Sequence, residues 1–369
     1  MLSPEFLALS RRIGTDPLLV QGPGGNTSVK ADGRMWIKAS GTVLADADAA
    51  DIFVEVDVAS ALAELDGAGD GSCRAALVDP AAGLRPSIET TFHAMFPQKY
   101  VFHFHSVNTI CHAISHEGRH LLTEKLQGLT WVAVPYRQPG IPLSRAIRES
   151  VQKATRESAD ARHGDADIEV IVLENHGIIV LGDDLSRVEQ LIDDVEQRLS
   201  LPVVHAAEPV GEVGRAESPA GWQRVESVRS LAGHPLVRAR AMDGTYYPDH
   251  VVFLGPGLPL ISGDRFAQAG DSEFEFPAVI VQGSGVFLRE SASAAHRAML
   301  QCVHDVLVRV PADWSLIPIG PAAEAALLNW DAEKYRQQLA RRAASATSAA
   351  SDASAAESAF DQADDSPSA

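Results

Sequence analysis

Apolar and polar positions along this chain change period several times, and each change marks an element. Residues 4–13 read as a helix: Ser3 suits the N-cap, Pro4 the first helical position and Glu5 the first turn, and Gly14 ends it. A glycine-rich turn from Gln21 to Gly25 runs into a strand ending at Lys30. Asp32-Gly33 signals a hairpin into a second strand at 34–39, Ser40-Gly41 turns the chain, and 52–56 is a third strand. Ser87 caps a helix predicted over 88–96, stopped by Pro97. Residues 100–105 are apolar and aromatic apart from two histidines. In a strand alternate side chains share a face, so His103 and His105 point one way and Phe102 and Phe104 the other. A helix is expected at 107–115, a strand at 131–136 and a helix at 143–157. Apolar runs at 168–173 and 178–181 flank the turn Glu174-Asn175-His176-Gly177, and an amphipathic helix covers 185–199.

Periodicity lapses over 201–222, which gains Pro, Gly and Glu and reads as a linker or surface loop. It resumes in 223–342 with apolar runs at 251–254, 278–281 and 286–288 and a helix over 293–308. Residues 343–369 are Ala/Ser/Asp low complexity and are expected to be disordered. One internal echo stands out: residues 170–180 align with 278–288, each followed by a helical stretch, with His176 opposite Ser284. If it is a half-repeat, the second copy has lost the histidine; two β-turn-β-α units also look alike by chance.

Composition narrows the class. A hydrophobic content of 46% in 369 residues can bury a large core. Cys73, Cys111 and Cys302 are too few and too scattered for a disulfide framework, which points to a reducing compartment. Cys111 reads as a small buried hydrophobe. The net charge is −18, and no basic patch with interleaved aromatics occurs, so nucleic acid is not an expected partner. Neither a signal peptide nor an apolar run long enough for a membrane is visible, so a cytoplasmic protein with no membrane association is expected.

The chemistry concentrates in histidines. His103 and His105 can reach one ion from a common strand face, and His176 follows in a turn before glycine. Three neutral nitrogens with an open position form the ligand set of a catalytic rather than a structural zinc. Taken alone, a His-x-His pair in a strand is more often a packed or surface pair than a metal site.

Six motifs in order carry a resemblance: Gly25-Asn26-Thr27-Ser28-Val29, Lys38-Ala39-Ser40-Gly41, Arg85-Pro86-Ser87-Ile88-Glu89, His103-Phe104-His105, Val134-Pro135-Tyr136 and Glu174-Asn175-His176-Gly177. The chain resembles the class II aldolase/adducin family of zinc sugar-phosphate aldolases over roughly residues 5–200. Its phrasing is closest to the aldolase portion of bifunctional rhamnulose-phosphate aldolase/short-chain dehydrogenase proteins. No Gly-x-Gly-x-x-Gly follows a strand, so no NAD site is expected.

The resemblance implies an α/β fold, three-layer α/β/α with a largely antiparallel central sheet. This catalytic domain spans 1–200, and a smaller C-terminal α/β extension follows it. It implies a homo-oligomer, often a tetramer with sites between subunits. Zinc, or another divalent ion such as Mn2+, Co2+ or Fe2+, would sit on His103, His105 and His176. Glu89 would be the acid/base, and would complete the coordination when substrate is absent. Tyr136 would protonate a carbonyl oxygen in a neighbour's site. Retro-aldol cleavage leaves an enediolate, which a Lewis acid stabilises, and Glu89 would suit the proton transfer if burial raises its pKa. Free N–H groups at Gly25 and Asn26, the Ser40-Gly41 turn, Lys38, and Ser87 at a helix start would bind the anionic end of the substrate. Lys38 reads equally as a solvated strand lysine, Glu89 also fits an ordinary first-turn acid, and Tyr136 also fits a half-buried aromatic. Ile88 stands where the family's phosphate aldolases tend to carry a second hydroxyl, which weakens the case for a phosphorylated substrate. The expected function is a carbon–carbon lyase on a small phosphorylated or acidic sugar. The alternatives are an epimerase, dehydratase or decarboxylase on the same metal, and a non-catalytic adducin-like module or subunit of a dehydrogenase complex.

Overall fold

The computed structural model describes residues 2–160, 167–206, 218–268 and 274–331, with 334 and 339. The 343–369 tail and half of the expected linker, 207–217, lie outside the described residues. Among the described residues no helix is long and apolar enough to cross a membrane.

Strands β1 (Asn26–Ala31), β2 (Arg34–Lys38), β3 (Phe53–Asp57), β4 (Tyr100–Phe104), β5 (Trp131–Val134), β6 (Val170–Leu173) and β7 (Gly177–Gly182) form one sheet in the order β3-β2-β1-β4-β7-β6-β5. All its pairings are antiparallel except β5 with β6. Period-two alternation divides the side chains between two helical layers. Phe102, Phe104, Val170, Val172, Ile178 and Val180 face helices Pro4–Thr15, His116–Lys125 and Leu185–Leu199. Val101, Ile171, Leu173, Ile179 and Leu181 face helices Thr90–Met95 and Ile141–Asp160, and Met35, Ile37, Val54 and Val56 continue that layer onto Val58–Ala63. The result is the expected α/β/α stack. Each buried aliphatic side chain contributes roughly 1.5–3 kcal/mol on leaving water.

A second sheet follows: β8 (Trp222–Arg224), β9 (Leu260–Ile261), β10 (Ala278–Val281) and β11 (Gly285–Arg289), in the order β8-β11-β10-β9. This repeats β4-β7-β6-β5 strand for strand. The outer pair is antiparallel in both, the hairpin is antiparallel in both, and the last pair is parallel in both. The registers of the echoing segments coincide, with Leu173 opposite Gly177 and Val281 opposite Gly285. Both turns pass through left-handed backbone, at Asn175 (φ 53°) and Gly283 (φ 72°).

The two parts share a core. Val107, Ile110, Cys111 and Ile114 from the first pack with Tyr247, Val251, Leu254, Met299 and Val303 from the second. The apolar run 251–254 belongs to helix Pro248–Leu254, all of whose residues are buried. With no solvent face, it shows no helical period.

Candidate functional site

The site assembles where the glycine-rich turn, the end of β4 and the β6–β7 turn meet. Antiparallel pairing of β1 with β4 sets Asn26 opposite His103. Gly25 has φ 61°, and a Cβ there would approach the His103 carbonyl to 3.0 Å, so the turn needs glycine. The β6–β7 turn is fixed by Asn175. Its Nδ2 donates to the carbonyls of Tyr246 (2.9 Å) and Ile317 (2.7 Å), and its Oδ1 accepts from Arg119 (2.6 Å). Asparagine is among the few residues that tolerate this left-handed backbone.

The three histidines converge. Their ligand nitrogens lie within 4.8 Å of one another, and all three rings are buried. His103 Nδ1 is 2.9 Å from the Ile178 carbonyl and donates to it, which leaves Nε2 as the lone-pair nitrogen. That Nε2 lies 3.3 Å from His105 Nε2. Burial pushes the His103 pKa down and takes His176 down to about 3, so both rings are neutral at ordinary pH, the form that binds metal.

Glu89 faces the cluster, 3.4 Å from His103 Nε2 and 3.5 Å from His176 Nε2. Its Oε2 accepts from Asn26 Nδ2 at 2.8 Å, while Oε1 is buried with no hydrogen-bond partner among the described residues. The condition set for Glu89, a pKa raised by burial, is not met. Burial does push this carboxyl up, but His103, His176, the Asn26 hydrogen bond and His105 together outweigh it and hold it below the usual range. The Ser87 expectation also changes. The helix starts at Thr90 with Glu89 at its N-cap, so Ser87 is not a helix cap beside an open anion seat. Residues 87–89 form a turn in which Ser87 Oγ accepts from Glu89 N (3.2 Å) and Asn26 Nδ2 (3.1 Å). The Ser87 carbonyl accepts from Thr90 N at 3.1 Å and from Thr90 Oγ1 at 2.7 Å, which closes a turn over 87–90 before the helix begins.

One cavity is lined by Gly25, Asn26, Lys38, Ser40, Gly41 and Ser87 together with Glu89, His105 and His176. The structure thus brings to one cavity the residues expected to bind the anionic end of the substrate. Lys38 is not a solvated lysine: it is buried, and its Nζ donates to the Pro23 carbonyl at 3.1 Å. Ser40 N donates to the Arg85 carbonyl at 2.9 Å, which ties the Ser40 turn to the Ser87 segment. Ile88 lines the same cavity. Tyr136 is not brought in. Its hydroxyl is buried without a hydrogen-bond partner among the described residues, and burial raises its pKa to about 12.

Two residues escaped the sequence reading. His93, fully buried, pairs with Ser28 Oγ through Nδ1 (2.7 Å) and with Asn26 Oδ1 through Nε2, and so orients the amide that holds Glu89. Asp249, from the second part of the chain, lines the cavity with Oδ2 at 3.3 Å from His105 Nδ1. Pro248 at a first helical position signals the helix, but nothing local signals that Asp249 reaches the site.

The buried donor set fits a divalent ion: three imidazole nitrogens close enough to share it, and a carboxylate oxygen beside them that no hydrogen bond among the described residues satisfies.

Residues 5–201 match the profile of the Class II Aldolase and Adducin N-terminal domain, and the chain belongs to that family. Among curated proteins it is 30% identical over 217 residues to YuxG of Bacillus subtilis (strain 168), an uncharacterized oxidoreductase, covering 53% of this chain and 29% of that one. The chain therefore spans under a third of that relative. Among solved structures it is similar to the N-terminal class II aldolase domain of a conserved protein from Thermoplasma acidophilum, with 26% identity and a TM-score of 0.43 over 54% of this chain and 93% of that one. It is also similar to l-fuculose-1-phosphate aldolase from Thermus thermophilus, with 19% identity and a TM-score of 0.33 over 54% and 93%.

Proposed function

We propose that the protein is a metal-dependent carbon–carbon lyase of the aldolase type acting on a small, sugar-derived, acidic or phosphorylated substrate. The observation that carries this reading is the meeting of three buried imidazoles with the Glu89 carboxylate at one cavity. His103, His105 and His176 would hold zinc or another divalent ion, which supplies Lewis-acid stabilisation of the negative charge developing on the ketone fragment. Glu89, held by Asn26 and through it by His93, moves the proton at the reacting carbon or oxygen. Lys38 and the hydroxyls of Ser40 and Ser87 face the cavity and suit an anionic or hydroxylated substrate end. Tyr136 lies apart from its own chain's cavity, and we assign it to a neighbouring subunit's site in a homo-oligomer.

The test combines metal analysis with a substrate panel of ketose phosphates and sugar acids. The expected result is one divalent ion per chain and retro-aldol products from at least one compound. Epimerised, dehydrated or decarboxylated products would assign the same centre to a different reaction. A metal-free protein that turns over nothing would replace the enzyme reading with a binding module.

A further inference from the structure

The second part of the chain places a carboxylate behind one metal-facing histidine, and its role rests on the lyase reading above. We propose that Asp249 is a positioning residue for His105. Its carboxylate holds the Nδ1–H of that ring, so Nε2 keeps its lone pair and stays aimed at the ion-binding centre.

The two ends of the His105 ring face different neighbours. Nε2 lies 3.3 Å from His103 Nε2, inside the histidine cluster. Nδ1, across the ring, lies 3.3 Å from Asp249 Oδ2. The arrangement parallels His103, whose Nδ1 is held by the Ile178 carbonyl within the same sheet. His105 lies just past the end of β4, beyond the last residue paired with β7, so no such carbonyl is offered by the β4–β7 ladder. A carboxylate takes its place. It also makes the ring a better electron donor, which a backbone carbonyl does less strongly.

Three features hold Asp249 there. Helix Pro248–Leu254 is buried along its whole length. The Tyr246 carbonyl just before it is bonded to Asn175, so the segment is anchored to the turn that carries His176. Gly24 leaves the space open, since a Cβ there would lie 3.0 Å from both Asp249 Oδ2 and His105 Nδ1. Asp249 is not itself in the ligand group, because the atoms within 4.8 Å of one another come from His103, His105 and His176.

The experiment measures zinc affinity of the full chain by chelator competition, alongside the melting temperature of the metal-free protein. Asp249→Ala is expected to weaken zinc binding about 10–100-fold. Asp249→Asn keeps the shape but not the charge and should weaken it several-fold. It carries the decision alone if the alanine variant does not fold. If His105→Ala loses zinc while the folded Asp249 variants bind it within twofold of wild type, the positioning role is overturned and the metal reading stands. A lowered metal-free melting temperature with unchanged zinc affinity is packing only, and likewise overturns it. If wild type and His105→Ala bind zinc equally poorly, the metal reading fails and the proposal falls with it.

Discussion

The Asn175 side-chain amide donates to the Tyr246 carbonyl at 2.9 Å, joining the turn that carries His176 to the second part of the chain. Two further partners, Ile317 O and Arg119 Nη2, complete its hydrogen bonding in a buried setting. Asn175→Ala would strand those partners and put alanine at φ 53°. A loss of roughly 2–5 kcal/mol is expected, measured by urea denaturation. A loss under about 1 kcal/mol would mean that the turn holds itself.

Glu89→Gln should leave the fold and metal content intact. Glutamine matches glutamate in shape and can still accept the Asn26 hydrogen bond, but it cannot take up a proton. Turnover on whichever substrate the panel yields should fall by ~10²–10⁴. Activity within a few-fold of wild type would assign the proton transfer to another group.

Removing the ion should destabilise the protein. A ligand at a hundred times its Kd stabilises by about 2.7 kcal/mol. Stripping it from a chain of this size should lower the melting temperature by roughly 4 °C, with recovery on adding zinc. Calorimetry before and after chelation reads this directly. His105→Ala should show no such response, and an equal response in that variant would place the ion elsewhere.

Stability should also depend on Glu196. Burial raises its pKa from 4.5 to about 7 against the lowering pull of hydrogen bonds from Ser106 and Asn108. Between those two values the folded state keeps a proton that the unfolded chain has released. Stability therefore falls as pH rises through that window, with the full cost present above pH 7. Glu196→Gln should match wild type near pH 4.5 and exceed it at pH 8, by roughly 1–3 kcal/mol at about 1.4 kcal/mol per pKa unit. Equal stabilities at pH 8 would refute the raised value.

Much of the site was legible because its signals are local. Alternation in a strand places His103 and His105 on one face whatever surrounds them. Glycines and short polar side chains mark the turns at Gly25 and Ser40. The helix Leu185–Leu199 was legible end to end because one face is apolar and Asp184 caps it. What stayed hidden depends on packing between distant segments. His93 lies on a six-residue helix, too short to display a period. Asp249 reaches His105 only because the second part docks on helix Val107–Ala113, and no spacing in the sequence encodes that contact. The direction of the Glu89 pKa depended on how many imidazoles would surround it.

The shared core around Val107, Ile110, Cys111 and Ile114 bears on how the chain can be cut. Residues 5–201 look separable because the family profile ends there. A fragment ending at that point would open four buried apolar side chains to water and leave the Asn175 amide without two of its acceptors. The profile marks an inherited segment, while the piece that keeps those side chains covered extends past it. Expression trials should start from the longer piece.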